Sequence, residues 1–199
     1  MYVIKKISHN VESIYDVAWN KANVAFIDTN NWSQYDYIPN TYAKLLYNEE
    51  YLYVKMWTDE KPLLARHTEQ NSPVCKDSCM EFFFSPNEND KRYMNFEFNP
   101  FGTMYLAVRT GRHDGVHPDK DKSFFNVQSV VTEDFWTLQF AIPFSYIDEV
   151  FKSHTKTMKG NLYKCGEDTE KEHYLSFYPL SPTDVDFHRS EYFKEFVLE

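Results

Sequence analysis

Nowhere does the chain approach the roughly 18 consecutive apolar residues that a membrane-spanning helix needs, which excludes a transmembrane helix. The opening MYVIKKIS lacks the continuous apolar stretch of a secretory signal. A cytoplasmic location is therefore expected, or an extracellular one if a leader has been removed. Positive charge is also scarce: 21 Lys and Arg stand against 30 Asp and Glu, a net charge of −9. Nucleic acids and anionic membranes are bound by basic patches, so neither is expected as a partner, whereas a neutral ligand such as a sugar is compatible.

Cysteine is sparse as well. Cys75, Cys79 and Cys165 make an odd number, which a pure disulfide framework would not use. Cys75 and Cys79 are spaced C-x3-C without a second pair or a His cluster, so the spacing predicts free, buried or half-buried thiols rather than zinc. No internal repeat or low-complexity segment is present, and no candidate helix is long.

Aromatic residues, by contrast, are abundant. Fifteen Tyr, seventeen Phe and four Trp make 18% of 199 residues, more than one core of this size should hold. Part of that surface is expected to face a ligand, although Tyr-rich strands are also ordinary sheet chemistry. The length predicts one domain, residues 1–199, with ample material for a core.

The most regular stretch is 73–109. CMEFFFSP, RYMNFEFNP and TMYLAVR read as three consecutive strands. In the second, Met94, Phe96 and Phe98 alternate with Tyr93, Asn95, Glu97 and Asn99, the mark of a strand with two different faces. Matching this apolar set to Met80, Phe82 and Phe84, and to Met104, Leu106 and Val108, fixes the register, because a one-residue slip would turn each core side chain outward. Phe82 then faces Phe96, and Glu81 faces Glu97, with Tyr105 on the other side. The polar face carries the row Glu81–Glu97–Tyr105, flanked by Asn95 and Phe83. Opposed residues have Cβ atoms about 4.5–5.5 Å apart, so two facing carboxylates call for a cation, a shared proton or a ligand hydroxyl. The bland alternative is that both splay into water or reach basic neighbours.

Elsewhere, residues 1–10 read as an edge strand, and Asp16–Asn20 and Val24–Asp28 as a helical turn and a strand. Thr41–Tyr47 and Tyr51–Trp57 read as a hairpin with Leu52, Val54 and Met56 inward. Trp57 is expected to pack. Thr58–Pro73 is a long polar connection, a class often functional. Gly111–Lys122 is a charged loop with two His and three Asp; no ligand spacing appears there, and a solvated loop is expected. Phe124–Val131 and Phe135–Ile142 make a second hairpin with Trp136, Leu138 and Phe140 inward. Ser145–Phe151 allows one or two helical turns. Gly160–Cys165, His173–Leu180 and Tyr192–Leu198 read as strands around a polar turn at Asp186–Ser190. Short alternating strands at this spacing predict an all-β, antiparallel β-sandwich, jelly-roll-like, with one or two short helices.

Four segments in order, LLYNEEYLYVKMWTDEKP, DSCMEFFFSP, YMNFEFNPFGT and WTLQFAIPF, together with the C-terminal GNLYKCGE and DFHRSEYFKEFVLE, resemble the framework of family 9 carbohydrate-binding modules. The resemblance spans roughly 41–199. It implies an antiparallel sandwich, non-catalytic, often attached to or encoded with xylan- or glucan-degrading hydrolases, and able to carry structural calcium. In sugar-binding members two tryptophans sandwich a terminal sugar. The family's strand Glu matches Glu81. The first tryptophan position falls on Cys75 or Val74 and the second on Phe187, while the family's arginine on the next strand is replaced by Glu97. The candidate site therefore joins Glu81 and Phe187, which the resemblance implies, to Glu97, Asn95 and Tyr105 from the polar face of the strands, with His188 and Arg189 placed to neutralise the acids. A carbohydrate ligand and a glycoside hydrolase partner are the implied associations.

Three rivals remain at this stage. Glu81 and Glu97 stand near the ~5–5.5 Å of a retaining glycosidase pair, although a flat sheet lacks the cleft that raises an acid's pKa. Haem is held by Met and His in some distant sandwiches, but Met94, Met104, His67 and His113 show no diagnostic spacing. A protein-interaction module with a decayed sugar site is the third.

Overall fold

The computed structural model describes residues 1–87 and 89–199. Its strands are β1 (Tyr2–Lys6), β2 (Ala25–Phe26), β3 (Thr29–Asn30), β4 (Thr41–Tyr47), β5 (Tyr51–Thr58), β6 (Ser78–Ser85) and β7 (Tyr93–Phe98). They continue with β8 (Met104–Arg109), β9 (Gln128–Val131), β10 (Trp136–Pro143), β11 (Thr157–Gly166), β12 (His173–Ser176) and β13 (Lys194–Leu198). One α-helix, α1 (Phe144–Phe151), follows β10 directly. Among the described residues no helix is long and apolar enough to cross a membrane.

The strands form the expected sandwich. One layer runs β8-β7-β6-β11-β13 and the other β4-β5-β10-β9, joined through β1 into one curled sheet. The expectation of an edge strand at the N-terminus is corrected. The first half of β1 pairs with β13 and its second half with β4, both parallel, so it has neighbours on both sides. Its partners lie at the far end of the chain and 41 residues on, which local alternation cannot reveal.

The register of the central strands is as read from their alternation: Phe82 opposite Phe96, Glu81 opposite Glu97, and Glu97 opposite Tyr105. The hairpin of β4 and β5 likewise turns Leu52, Val54 and Met56 inward, and β10 turns in Trp136, Leu138 and Phe140, all fully buried. Across the layers, Phe140 meets Phe96 at 5.2 Å and Phe98 at 4.8 Å between ring centroids. Each such ring contributes about 1.5–3 kcal/mol by leaving water. Strand β9 starts only at Gln128. Phe124 and Phe125 lie in the preceding turn, where Phe125 packs edge-on against Phe96.

The outer face of β6, β7 and β11 is not open to water. The chain around Trp32 and the segment 180–193 lie over it. There Trp32, Tyr163, Tyr174, Phe187 and Phe193 pack with Phe83 and Tyr93 as a second apolar cluster. Much of the aromatic surplus goes into this layer. A third, smaller cluster packs Ile7, Val11 and Trp19 onto Leu46, Tyr53 and Ala141, on the outer face of the other layer.

Candidate functional site

Alternation along three paired strands puts one set of side chains on this covered face: Cys79, Glu81 and Phe83 from β6, Asn95 and Glu97 from β7, Tyr163 and Cys165 from β11. The pairing lines up Tyr163, Glu81, Glu97 and Tyr105 across four strands, and Cys165 opposite Cys79. A cavity of about 150 Å³ opens over this row, with Glu81, Glu97, Cys165 and Cys75 among its lining. Its rim comes from loops. Arg112, in the loop after β8, donates to the Val185 carbonyl at 3.4 Å and stands 3.7 Å from the Asp186 carboxylate. Phe187, His188, Tyr174 and Glu167 also line the cavity.

Both acids are buried, Glu81 at 2% and Glu97 at 6% exposure, so the alternative of two acids splayed into water does not hold. Alternation assigned the correct side but not its cover. Burial pushes the Glu81 carboxyl up to about 7; the Cys165 thiol, 3.0 Å from Glu81 Oε1, and the Lys164 charge partly offset this. Glu97 is raised further, by burial and by the Glu81 charge, against opposing effects of Arg109 and of Asn95, whose Nδ2 donates to Glu97 Oε1 at 2.7 Å. Facing carboxylates in a dry setting cannot both ionise. The pair therefore holds a proton at neutral pH, and the floor of the cavity carries both a donor and acceptors.

Phe187 is 8% exposed rather than open to solvent. Its ring stacks on Tyr163 with centroids 4.2 Å apart and planes within 10°, and the Tyr163 hydroxyl donates to its carbonyl at 3.2 Å. The rest of the ring borders the cavity. His188 also lines it, but is not a counter-ion. Burial, with Arg109 and Arg112 nearby, pulls its pKa down to about 3, and its Nδ1 bonds the Tyr93 hydroxyl at 2.9 Å. Arg189 turns away to Glu191 at 2.6 Å. The idea that these two residues neutralise the acids is corrected: the charges acting on the pair are Lys164 and Arg109. Asn95 lies behind Glu97, fully buried, and Tyr105 stands aside, accepting from Arg109 Nη2 at 2.6 Å. Glu81, Glu97, Phe187 and His188 thus share the cavity, while Asn95 supports it and Tyr105 and Arg189 lie outside.

Sequence reasoning missed Arg112, Glu167 and Tyr174. Arg112 sits in a loop read as solvated, and only its approach to Asp186, 74 residues on, reveals it. Cys75 and Phe187 do face the same cavity, while Val74 is fully buried in the neighbouring cluster. Calcium takes 6–8 oxygen ligands. Among the described residues the one gathering of three metal-ligating side chains is Cys79, Glu81 and Cys165, whose sulfur-rich set does not fit calcium.

Residues 12–198 match the family model described as carbohydrate-binding family 9. The fold is similar to that of a candidate carbohydrate-binding protein from Bacteroides uniformis, with TM-score 0.86 and 24% identity over 99% of this chain and 98% of that one. It is also similar to a family 9 carbohydrate-binding module from Caldicellulosiruptor kristjanssonii. Its cellotriose complex gives TM-score 0.67 and 14% identity over 100% and 93% of the two chains. Its glucose complex gives 0.69 and 15% over 99% and 94%. A zebrafish (Danio rerio) protein named UPF0462 protein C4orf33 homolog is 25% identical over 126 residues, which is 60% of this chain. The match spans 59% of that relative's length.

Proposed function

The chain belongs to carbohydrate-binding family 9, and from that premise we propose that it is a non-catalytic domain taking the end of a sugar or oligosaccharide into the cavity between Cys75 and Phe187. The observation that carries this reading is the lining: an aromatic edge, a buried pair of acids and a half-exposed arginine converge on one small opening. Sugar C–H faces pack on aromatic rings, and hydroxyls both donate and accept. Hydrogen bonds to charged groups contribute roughly 1.5–3 kcal/mol each. At about 150 Å³ the cavity lies well below the ~300–1,000 Å³ typical of drug-sized sites. This favours one terminal ring over an internal stretch of polymer.

Association with a xylan- or glucan-degrading glycoside hydrolase is part of the same proposal, supported by the family alone. Calorimetric titration with xylo- and cello-oligosaccharides and their monomers, with and without calcium, tests it. Saturable binding to chain ends that weakens in Glu97→Gln and Arg112→Ala is expected, with no hydrolysis of aryl glycosides. No heat with any sugar would overturn the reading, and unchanged affinity in both variants would move the site elsewhere.

A further inference from the structure

The floor of this cavity holds two thiols that sugar binding does not require, beside one of its two acids. Cys79 and Cys165 are directly opposed on antiparallel β6 and β11, which brings their Cβ atoms to about 4.5–5.5 Å. Glu81, two residues beyond Cys79, projects from the same face of β6. The two sulfurs and one carboxylate oxygen all lie within 4.8 Å of one another, and all three residues are buried. The Cys165 thiol already contacts Glu81 Oε1 at 3.0 Å. Glu81 and Cys165 border the cavity, so an ion has a route in and one side of the cluster faces space.

We propose that Cys79, Cys165 and Glu81 form a binding site for a thiophilic divalent cation of the zinc type, with its fourth coordination position open to the cavity. Zinc takes thiolate sulfur at about 2.3 Å and carboxylate oxygen at about 2.0–2.2 Å in a tetrahedron. Two sulfurs on one tetrahedral ion stand about 3.8 Å apart, so the cluster needs to contract by no more than about 1 Å, within the reach of side-chain rotation. Sulfur donors select zinc-type ions over calcium or magnesium. Binding replaces the thiol protons and any carboxyl proton, which leave to solvent, and the ion then bonds two thiolates and one carboxylate. Without an ion, three acidic groups crowd a dry floor, an arrangement that burial penalises unless they stay protonated. Sequence spacing alone argued against zinc because it offered Cys75 with Cys79; the fold instead brings Cys165, 86 residues away, to Cys79.

This inference does not rest on the sugar reading, and its test uses no sugar. The chain, stripped by chelator and kept under a phosphine reductant, is titrated with Co²⁺ as an optical probe and then with Zn²⁺. One equivalent of Co²⁺ is expected, with a near-ultraviolet thiolate-to-cobalt charge-transfer band that Zn²⁺ displaces. Cys79→Ser and Cys165→Ser should abolish the band, and Glu81→Gln should weaken binding while keeping it. Because buried-thiol variants can unfold, the wild-type chain supplies a second readout. Zn²⁺ should slow alkylation of both Cys79 and Cys165, read by peptide mass spectrometry. Cobalt binding without a charge-transfer band, a band that survives both serine variants, or no protection of either thiol would overturn the proposal.

Discussion

The two faces of β6 and β7 make an instructive contrast. On the inner face, Met80, Phe82, Phe84, Met94, Phe96 and Phe98 pack into one cluster of apolar side chains. On the outer face of the same strands, rings are interleaved with Glu81, Glu97, Asn95 and Cys79, equally shut from water. Burying polar groups costs free energy unless they are paired, and an acid pair stays dry only by sharing a proton. An inner face of this kind serves stability. The outer face gives up stability for donors and acceptors aimed into a cavity, the usual signature of a binding site.

The largest expected effect lies on the inner side. Phe96→Ala, which opens a cavity among Phe98, Phe125 and Phe140, should cost about 3–5 kcal/mol, read as a shift in the urea midpoint. On the outer side the order of effects should reverse. Glu97→Gln keeps the shape and removes one of two competing acids, so stability should hold or rise at pH 8. Sugar affinity should nevertheless fall roughly two- to ten-fold, since the carboxyl hydroxyl is lost as a donor and a neutral hydrogen bond is worth about 0.5–1.5 kcal/mol. Loss of stability comparable to Phe96→Ala would erase the distinction between the two faces.

A pH series sharpens the contrast further. His188, held down to about 3, binds no proton in the folded state where the unfolded chain, near 6.5, does. Between pH 6.5 and 3 the unfolded state therefore carries more protons, and stability falls as pH falls through that window. Glutamine at 188 can still bond the Tyr93 hydroxyl without titrating. His188→Gln should thus flatten the acid limb by about 1 kcal/mol at pH 5 relative to wild type, measured as the difference between two denaturation series. Parallel limbs would show that His188 protonates freely in the fold.

How far these faces were legible in the sequence follows from what alternation encodes. Period two told which side Phe96 and Glu97 occupy, and pairing like with like told that Glu81 faces Glu97. Neither reveals whether a side is roofed, because the roof is made by chain near Trp32 and Phe187, joined to the strands only by distant contacts. The aromatic excess was the available signal for a second core, and it was read as ligand surface instead. Lys164 escaped for a related reason. Its ion pair with Glu60, at 2.6 Å and fully buried, spans 104 residues and two polar-looking segments. The resemblance placed Phe187 and Glu81 in one site, but the arginine at the rim, Arg112, lies in a loop with no periodic pattern to read.

Arg112 accordingly gives the smallest expected change in stability and the clearest separation of the two roles. Its side chain is 54% exposed, and its contacts to Val185 and Asp186 are long. Exposed pairs of this kind contribute about 0–1 kcal/mol. Arg112→Ala should leave the denaturation midpoint within about 0.5 kcal/mol of wild type while weakening sugar binding, because it removes a donor from the rim without touching either core. Arg112→Lys should restore part of the affinity, since a charge at the rim is retained but the planar guanidinium is not. Equal binding in wild type and Arg112→Ala, alongside a loss in Glu97→Gln, would confine recognition to the floor of the cavity and assign the loop after β8 to closing the roof alone.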